Sequence, residues 1–171
     1  MSREVRRVPP DWQHPKKPNG KYLKLCDDYG TVSAAWDEGA AKWREGLCAS
    51  CDPAHPWMAI TSEDRGKTFA EHNGERPVAS EYMPVWAPEQ ATHYMMYETC
   101  SDGTPISPAF ATPQELARWL FDNNASAFGS ATASYEAWLR VARGHWAPSV
   151  MIIGGVVESG VEAVYRSGQE R

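Results

Sequence analysis

The sequence predicts an α+β fold: a small mixed or antiparallel sheet with about three helices packed on one face and a long irregular segment over 52–92. Three observations point to it. "HYMMYET" (93–99) alternates with the period of a strand, while "SAAWDEGAAKWREG" (33–46) and "TPQELARWLFDN" (112–123) carry the period and end signals of helices. "VMIIGGVV" (150–157) sets two apolar runs about a Gly-Gly pair, the composition of a tight hairpin.

In chain order, "REVRRV" (3–8) is a short strand by its weak alternation and β-branched residues. "PPDWQHPKKPNG" (9–20) holds four prolines and an Asn-Gly turn, so it runs extended across the surface, with Trp12 as its anchor. In 33–46, Trp36, Ala40 and Trp43 share one face and Asp37, Glu38, Lys42, Arg44 and Glu45 take the other. Ser33 is the expected cap and Gly46 the left-handed stop. That stop places Cys48 and Cys51 on a loop. Segment 52–92, rich in proline, glycine and charge, reads as turns and short strands with the greatest mobility.

The strand at 93–99 has both faces at least partly covered, and "CSDGTPISP" (100–108) is a turn-rich excursion. In 112–123, Thr112 caps, Pro113 takes the first helical position, Glu115 completes a capping box, and Leu116, Trp119 and Leu120 form the buried stripe. A second helix over 132–143 buries Tyr135, Trp138, Leu139 and Ala142 and packs on the first as a hairpin. The chain closes with the 150–157 hairpin and a frayed "SGQER".

At 171 residues and 19.0 kDa the chain is read as one domain: a basic strand and Pro-rich arm (1–24), an α+β body (25–166) and a tail (167–171). That length buries about 70% of the extended chain's surface, so no disulfide or metal is needed for stability. The longest apolar run falls short of the roughly 20 residues of a spanning helix. The N-terminus lacks an apolar signal region, and four cysteines without such a signal fit reducing conditions, so the expected location is cytoplasmic, with no membrane. Net charge is −5, yet residues 1–24 carry seven Lys/Arg against Glu4 and Asp11, while the remainder carries ten against twenty Asp/Glu. A basic arm with Arg3, Arg6 and Arg7 is one form of nucleic-acid contact. The plainer reading, favoured because no basic helix or aromatic stripe accompanies it, is an arm lying on its own acidic body or solvated.

Phosphate-loop, dinucleotide-fold and nucleophile-elbow motifs are absent, as is H-E-x-x-H. "WREGLCASCDPAHP" (43–56) holds a Cys-x-x-Cys. It fails as a zinc deaminase, because Leu47 precedes Cys48 and no His-x-Glu lies upstream. It fails as a thioredoxin-like pair, because it follows a helix C-terminus, where the dipole disfavours thiolate. A structural zinc on Cys48, Cys51 and His55, completed by Cys26, Cys100 or His14, stays open beside the reading that the pair are small apolar residues. No other cofactor is expected.

Cys100 sits between strand and turn, with His93 seven residues earlier; on one strand that odd separation puts them on opposite faces. Glu98, Asp102, Thr104 and Ser107 read as turn-stabilising acceptors, or as the lining of a cleft. Trp57, Tyr82, Trp86 and Trp146 lie in proline-containing stretches outside any periodic core face; each by itself reads as a surface pin, and four in one small acidic domain suggest a protein-binding face.

The opening "REVRRVPPDWQHP", the helix "AAWDEGAAKW", the run "THYMMYETCSDGTPISPAFATPQELARWLFDNNASAFG" and the later "SGVEAV" resemble a family of small proteins of tailed bacteriophages and prophages. The resemblance spans most of the chain and is weak between about 50 and 80. It implies an early or accessory phage protein made in bacterial cytoplasm, and carries over no activity and no catalytic residue. The leading expectation is therefore a non-enzymatic module that binds a host or phage protein, with host takeover or anti-defence as its setting. The alternatives are a small enzyme or nucleotide- or small-molecule-binding protein with a pocket near 98–107, closed by 52–92, and nucleic-acid contact through the arm.

Overall fold

The computed structural model describes residues 2–99, 103–144, 146–153 and 155–167. Along it run β1 (Arg3–Val8), α1 (Tyr29–Arg44), β2 (Leu47–Ala49), β3 (Trp57–Ala59), α2 (Phe69–Asn73), β4 (His93–Glu98), β5 (Thr104–Pro105), α3 (Pro113–Asp122), α4 (Tyr135–Gly144), β6 (Trp146–Ala147), β7 (Val150–Ile153), β8 (Val156–Ser159) and α5 (Gly160–Ser167), with a 3-10 turn at Ala79–Glu81. Helices and antiparallel sheets together make an α+β fold. No helix among the described residues is long and apolar enough to cross a membrane. The chain forms two units: Met1–Cys26 with Pro84–Arg171, and Asp27–Met83. In sequence, the second is inserted into the first.

The first unit is organised by pairing over a long sequence distance. β1 lies antiparallel on β4 in the order β5-β4-β1-β6, with Val5 opposite Met96 and Arg3 opposite Glu98. Period-two alternation puts Arg3, Val5, Arg7, Tyr94, Met96 and Glu98 on one face and Arg6, Val8, Met95 and Tyr97 on the other. Helices α3 and α4 close the first face: Leu116, Leu120, Ala137, Trp138 and Val141 are fully buried with Val5 and Met96. Each such large side chain contributes roughly 1.5–3 kcal/mol. The stripe of α3 is Leu116, Ala117 and Leu120, with Trp119 only partly buried.

Local chemistry fixes the helix ends. Thr112 Oγ1 accepts from Glu115 N–H at 3.2 Å and Glu115 Oε2 accepts from Thr112 N–H at 3.1 Å, the capping box read from sequence. Helix α4 starts three residues later than expected, because Ser134 N–H donates to the Glu162 carboxylate at 2.6 Å and Ser134 Oγ accepts from Ala137 N–H. Glu162 belongs to α5, where the sequence reading had only the close of a hairpin and a frayed tail. Ser159 Oγ caps α5 by accepting from Glu162 N–H, and Val161 and Ala163 enter the core. The β7–β8 hairpin forms as expected, with Gly155 at φ +83° in its turn.

In the second unit, α1 begins four residues before the expected cap. Asp28, not Ser33, is its N-cap and accepts from Thr31 N–H at 3.2 Å; Ser33 is buried inside the helix. The stop at Gly46 is as read, with φ +81°. Cys48 is not on a loop: β2 pairs with β3, Cys48 opposite Met58. Within 52–92 the sequence reading missed α2, which Thr68 and Glu71 hold with a full capping box. Phe69 lies between Trp36 (5.1 Å between ring centroids) and Trp43 (5.9 Å), over Gly39. The two indoles donate to the Gly74 and Lys67 carbonyls, at 3.0 and 2.9 Å, and so pin both ends of α2.

Candidate functional site

A cavity of about 500 Å³ opens on the second face of the sheet in the first unit. Its wall is made by the arm. Pro10, Trp12, Gln13, His14 and Lys16 line the cavity with Tyr22, Met95, Trp119 and the 105–109 turn. A buried hydrogen-bond chain holds this wall. Leu23's carbonyl can only accept, so His14 Nε2–H donates to it at 2.8 Å and Nδ1 of the neutral ring is the acceptor. The Tyr97 hydroxyl donates to that Nδ1 at 3.2 Å and accepts from Trp12 Nε1–H at 3.1 Å. Trp12 also meets Trp86 edge to face at 4.8 Å, and the Arg6 guanidinium lies over the Tyr97 ring at 4.7 Å.

Burial pushes the Tyr97 phenol up to about 12. Burial likewise lowers the His14 pKa, against the Leu23 hydrogen bond and with the help of Arg6. As pH falls through about 6.5 the unfolded chain takes up this proton before the folded one does. The stability that neutral His14 confers is thus present above that pH and is lost below it. NMR titration should place the His14 midpoint below 6.5, and the urea midpoint of the protein should fall between pH 7 and pH 5. A His14 midpoint at or above 6.5 would contradict the burial argument.

A second concavity, about 580 Å³, lies within the second unit. Trp36, Trp57, Phe69, Val32 and Ala35 give it an apolar floor, and Glu38 and Glu75 stand among its lining. Only Ser33, Gly39, Cys48 and Met83 are buried in the unit that carries it. That unit holds eleven Asp/Glu against five Lys/Arg, and so carries more than half of the acidic excess found beyond residue 24. Arg76 clasps Asp37 at 2.7 and 2.9 Å and reaches Tyr29 Oη at 3.0 Å, an exposed pair that solvent screens. Asp64 is held down to about 2, first by Lys67 and then by Thr61.

The structure divides the residues singled out in the sequence. Trp57 is in β3, lining the groove, and Tyr82 follows the 3-10 turn, its ring 5.3 Å from Tyr29; both belong to the second unit. Trp86, edge to face with Trp12, and Trp146, in edge strand β6 and 55% exposed, belong to the first. Of these four, only Trp57 lines a described concavity. Glu98 pairs with Arg3 at 3.7 Å and Thr104 with Glu98 across β4–β5; neither lines the cavity, which the expectation of a pocket at this turn required. Pro105–Ala109 line it instead, and the arm closes it rather than 52–92. Ser107 is buried there with its hydroxyl accepting from Met96 N–H and donating to the Pro108 carbonyl. Asp102 and Cys100 lie outside the described residues.

The arginines weighed for nucleic acid do not form an exposed basic face. Arg3 and Arg6 are 1% and 7% exposed, Arg6 donating to the Leu25 carbonyl at 3.0 Å, and Arg7 lies over Tyr94 while donating to the Ala91 carbonyl. Cys48 is buried with Sγ 4.0 Å from the Ala59 carbonyl, Cys51 and Cys26 are exposed, and His55 Nδ1 lies 3.0 Å from Asp52. Among the described residues no three His, Cys, Asp or Glu side chains converge as metal ligands. Sequence reasoning missed the wall that Trp12, His14 and Lys16 help to form, because the arm read only as an extended, proline-rich crossing. Comparisons with protein-family models, curated proteins and solved structures return no match.

Proposed function

We propose that this chain is a non-enzymatic binding protein of a tailed phage or prophage, working in bacterial cytoplasm. It docks a basic, amphipathic segment of a host or phage protein on the groove of the second unit, and so occupies a site that its partner needs for other business, host defence included. One observation carries this reading. The unit leaves a tryptophan- and phenylalanine-floored groove open on a strongly acidic body that buries only four residues. Aromatic anchors in a pocket supply affinity, and the surrounding carboxylates favour a cationic partner and speed its approach. The phage setting rests on the sequence resemblance.

The test is capture of host protein from bacterial lysate by the full chain, with Trp57→Ala and Glu75→Lys beside it. Each variant should weaken capture of the same partner by about tenfold or more, without moving the melting temperature. Capture should also fade at about 0.5 M salt, where screening is short-ranged. Capture that neither variant nor salt diminishes would remove the groove from the account.

A further inference from the structure

The cavity of the first unit is a separate site, and its unspent chemistry defines what it can take. We propose that it binds a small planar aromatic ligand bearing an anionic group, the ring stacked against the Trp12, Tyr22 and Trp119 side chains and the anion at Lys16. The volume, about 500 Å³, lies in the range of small-molecule sites. The lining is chiefly flat or rigid: three aromatic rings, the His14 imidazole and Pro10, Pro105 and Pro108.

Part of the polar lining is already used. Both His14 nitrogens, the Trp12 indole N–H and the Ser107 hydroxyl are engaged inside the protein. Among the described residues, the Lys16 ammonium, the Gln13 amide, the Tyr22 hydroxyl and the Trp119 indole N–H take part in no hydrogen bond, and of these only Lys16 carries a charge. Lys16 is nonetheless held in place. It bridges to Tyr22 across a small hairpin turned by Asn19 and Gly20, and its Nζ sits 4.9 Å over the Tyr22 ring. A pre-positioned cation beside stacking faces, on a wall fixed by a buried network, matches a ring with one negative end. A neutral ring would leave the cation unused, and an aliphatic anion would leave the faces unused.

Saturation-transfer NMR and calorimetry on the full chain test this with AMP and 2-naphthoate, against adenosine and 2-naphthamide as neutral counterparts. At least one anionic probe should bind more tightly than about 1 mM and more tightly than its neutral counterpart. Lys16→Met should weaken that probe about tenfold and leave the neutral one unchanged, while Tyr22→Ala should weaken both. Both side chains are exposed at the mouth, so the variants should melt as the parent does. Binding of AMP alone identifies a phosphate ligand, and binding of naphthoate alone a carboxylate. No binding by either anion, equal binding by the neutral probes, or unchanged affinity in Lys16→Met would overturn the proposal.

Discussion

Replacing Arg3 with methionine is expected to destabilise the protein by about 3–5 kcal/mol. The guanidinium is 1% exposed, with Nε donating to the Ser126 carbonyl at 2.8 Å, Nη2 to Ser126 Oγ at 3.2 Å and Nη1 3.7 Å from Glu98. Methionine keeps much of the volume but removes the donors from those acceptors and the cation from beside a largely buried carboxylate. The pair as a whole need not be net stabilising, because burying the charge costs desolvation, visible in the lowered Arg3 pKa. Breaking one side of it is costly all the same. Arg3→Lys should fall between, since a point charge cannot reproduce the fork that reaches both oxygens of Ser126. Urea titration followed by near-ultraviolet circular dichroism reads the effect; a loss below about 1 kcal/mol for Arg3→Met would mean that those acceptors find other donors.

Gly103→Ala is expected to cost about 3 kcal/mol or more. Gly103 has φ +51°, where any side chain is strained, and a Cβ built there collides with the carbonyl of Leu25. Backbone cannot step aside as a flexible side chain would. That same carbonyl accepts from Arg6 Nη1 at 3.0 Å, and Leu25 N–H donates to the Gly103 carbonyl at 3.3 Å. Moving it would therefore pull the acceptor away from a second buried guanidinium. Calorimetry should show a lowered main transition, by roughly 2–4 °C for each kcal/mol lost at this chain length. A transition at the parent temperature would show that the 103 backbone relaxes without disturbing Leu25.

These two sites mark where sequence reading stopped. Helices α1 and α3, strand β4 and the β7–β8 hairpin were legible because their signals are local: heptad-like spacing, a Thr–Glu capping box, alternation, a glycine turn. Helix α2 had the same Thr68–Glu71 signal, but five residues give no period to detect. Helix α5 was hidden by its shortness and by the hairpin before it. The fate of Arg3 and Arg6 was not legible at all. A charged hexapeptide looks solvent-exposed until β4, far along the chain, supplies a partner strand and the helices and arm cover both faces. The candidate sites share this difficulty: the cavity draws on residues from 10 to 22 together with 95, 105–109 and 119, and no local pattern announces that assembly. Trp57 was recognisable as an aromatic without a core stripe, yet the groove it joins needs α1 and α2 folded beside it.

The insertion of Asp27–Met83 between β1 and β4 has a consequence for biosynthesis. The first strand leaves the ribosome with two arginines that its mature surroundings will enclose, and waits, unpaired, through the synthesis of an entire module. That module relies on near-neighbour contacts and can close while translation continues. Slowing its closure, or lengthening it, would prolong the time for which the nascent strand offers an open edge to other chains.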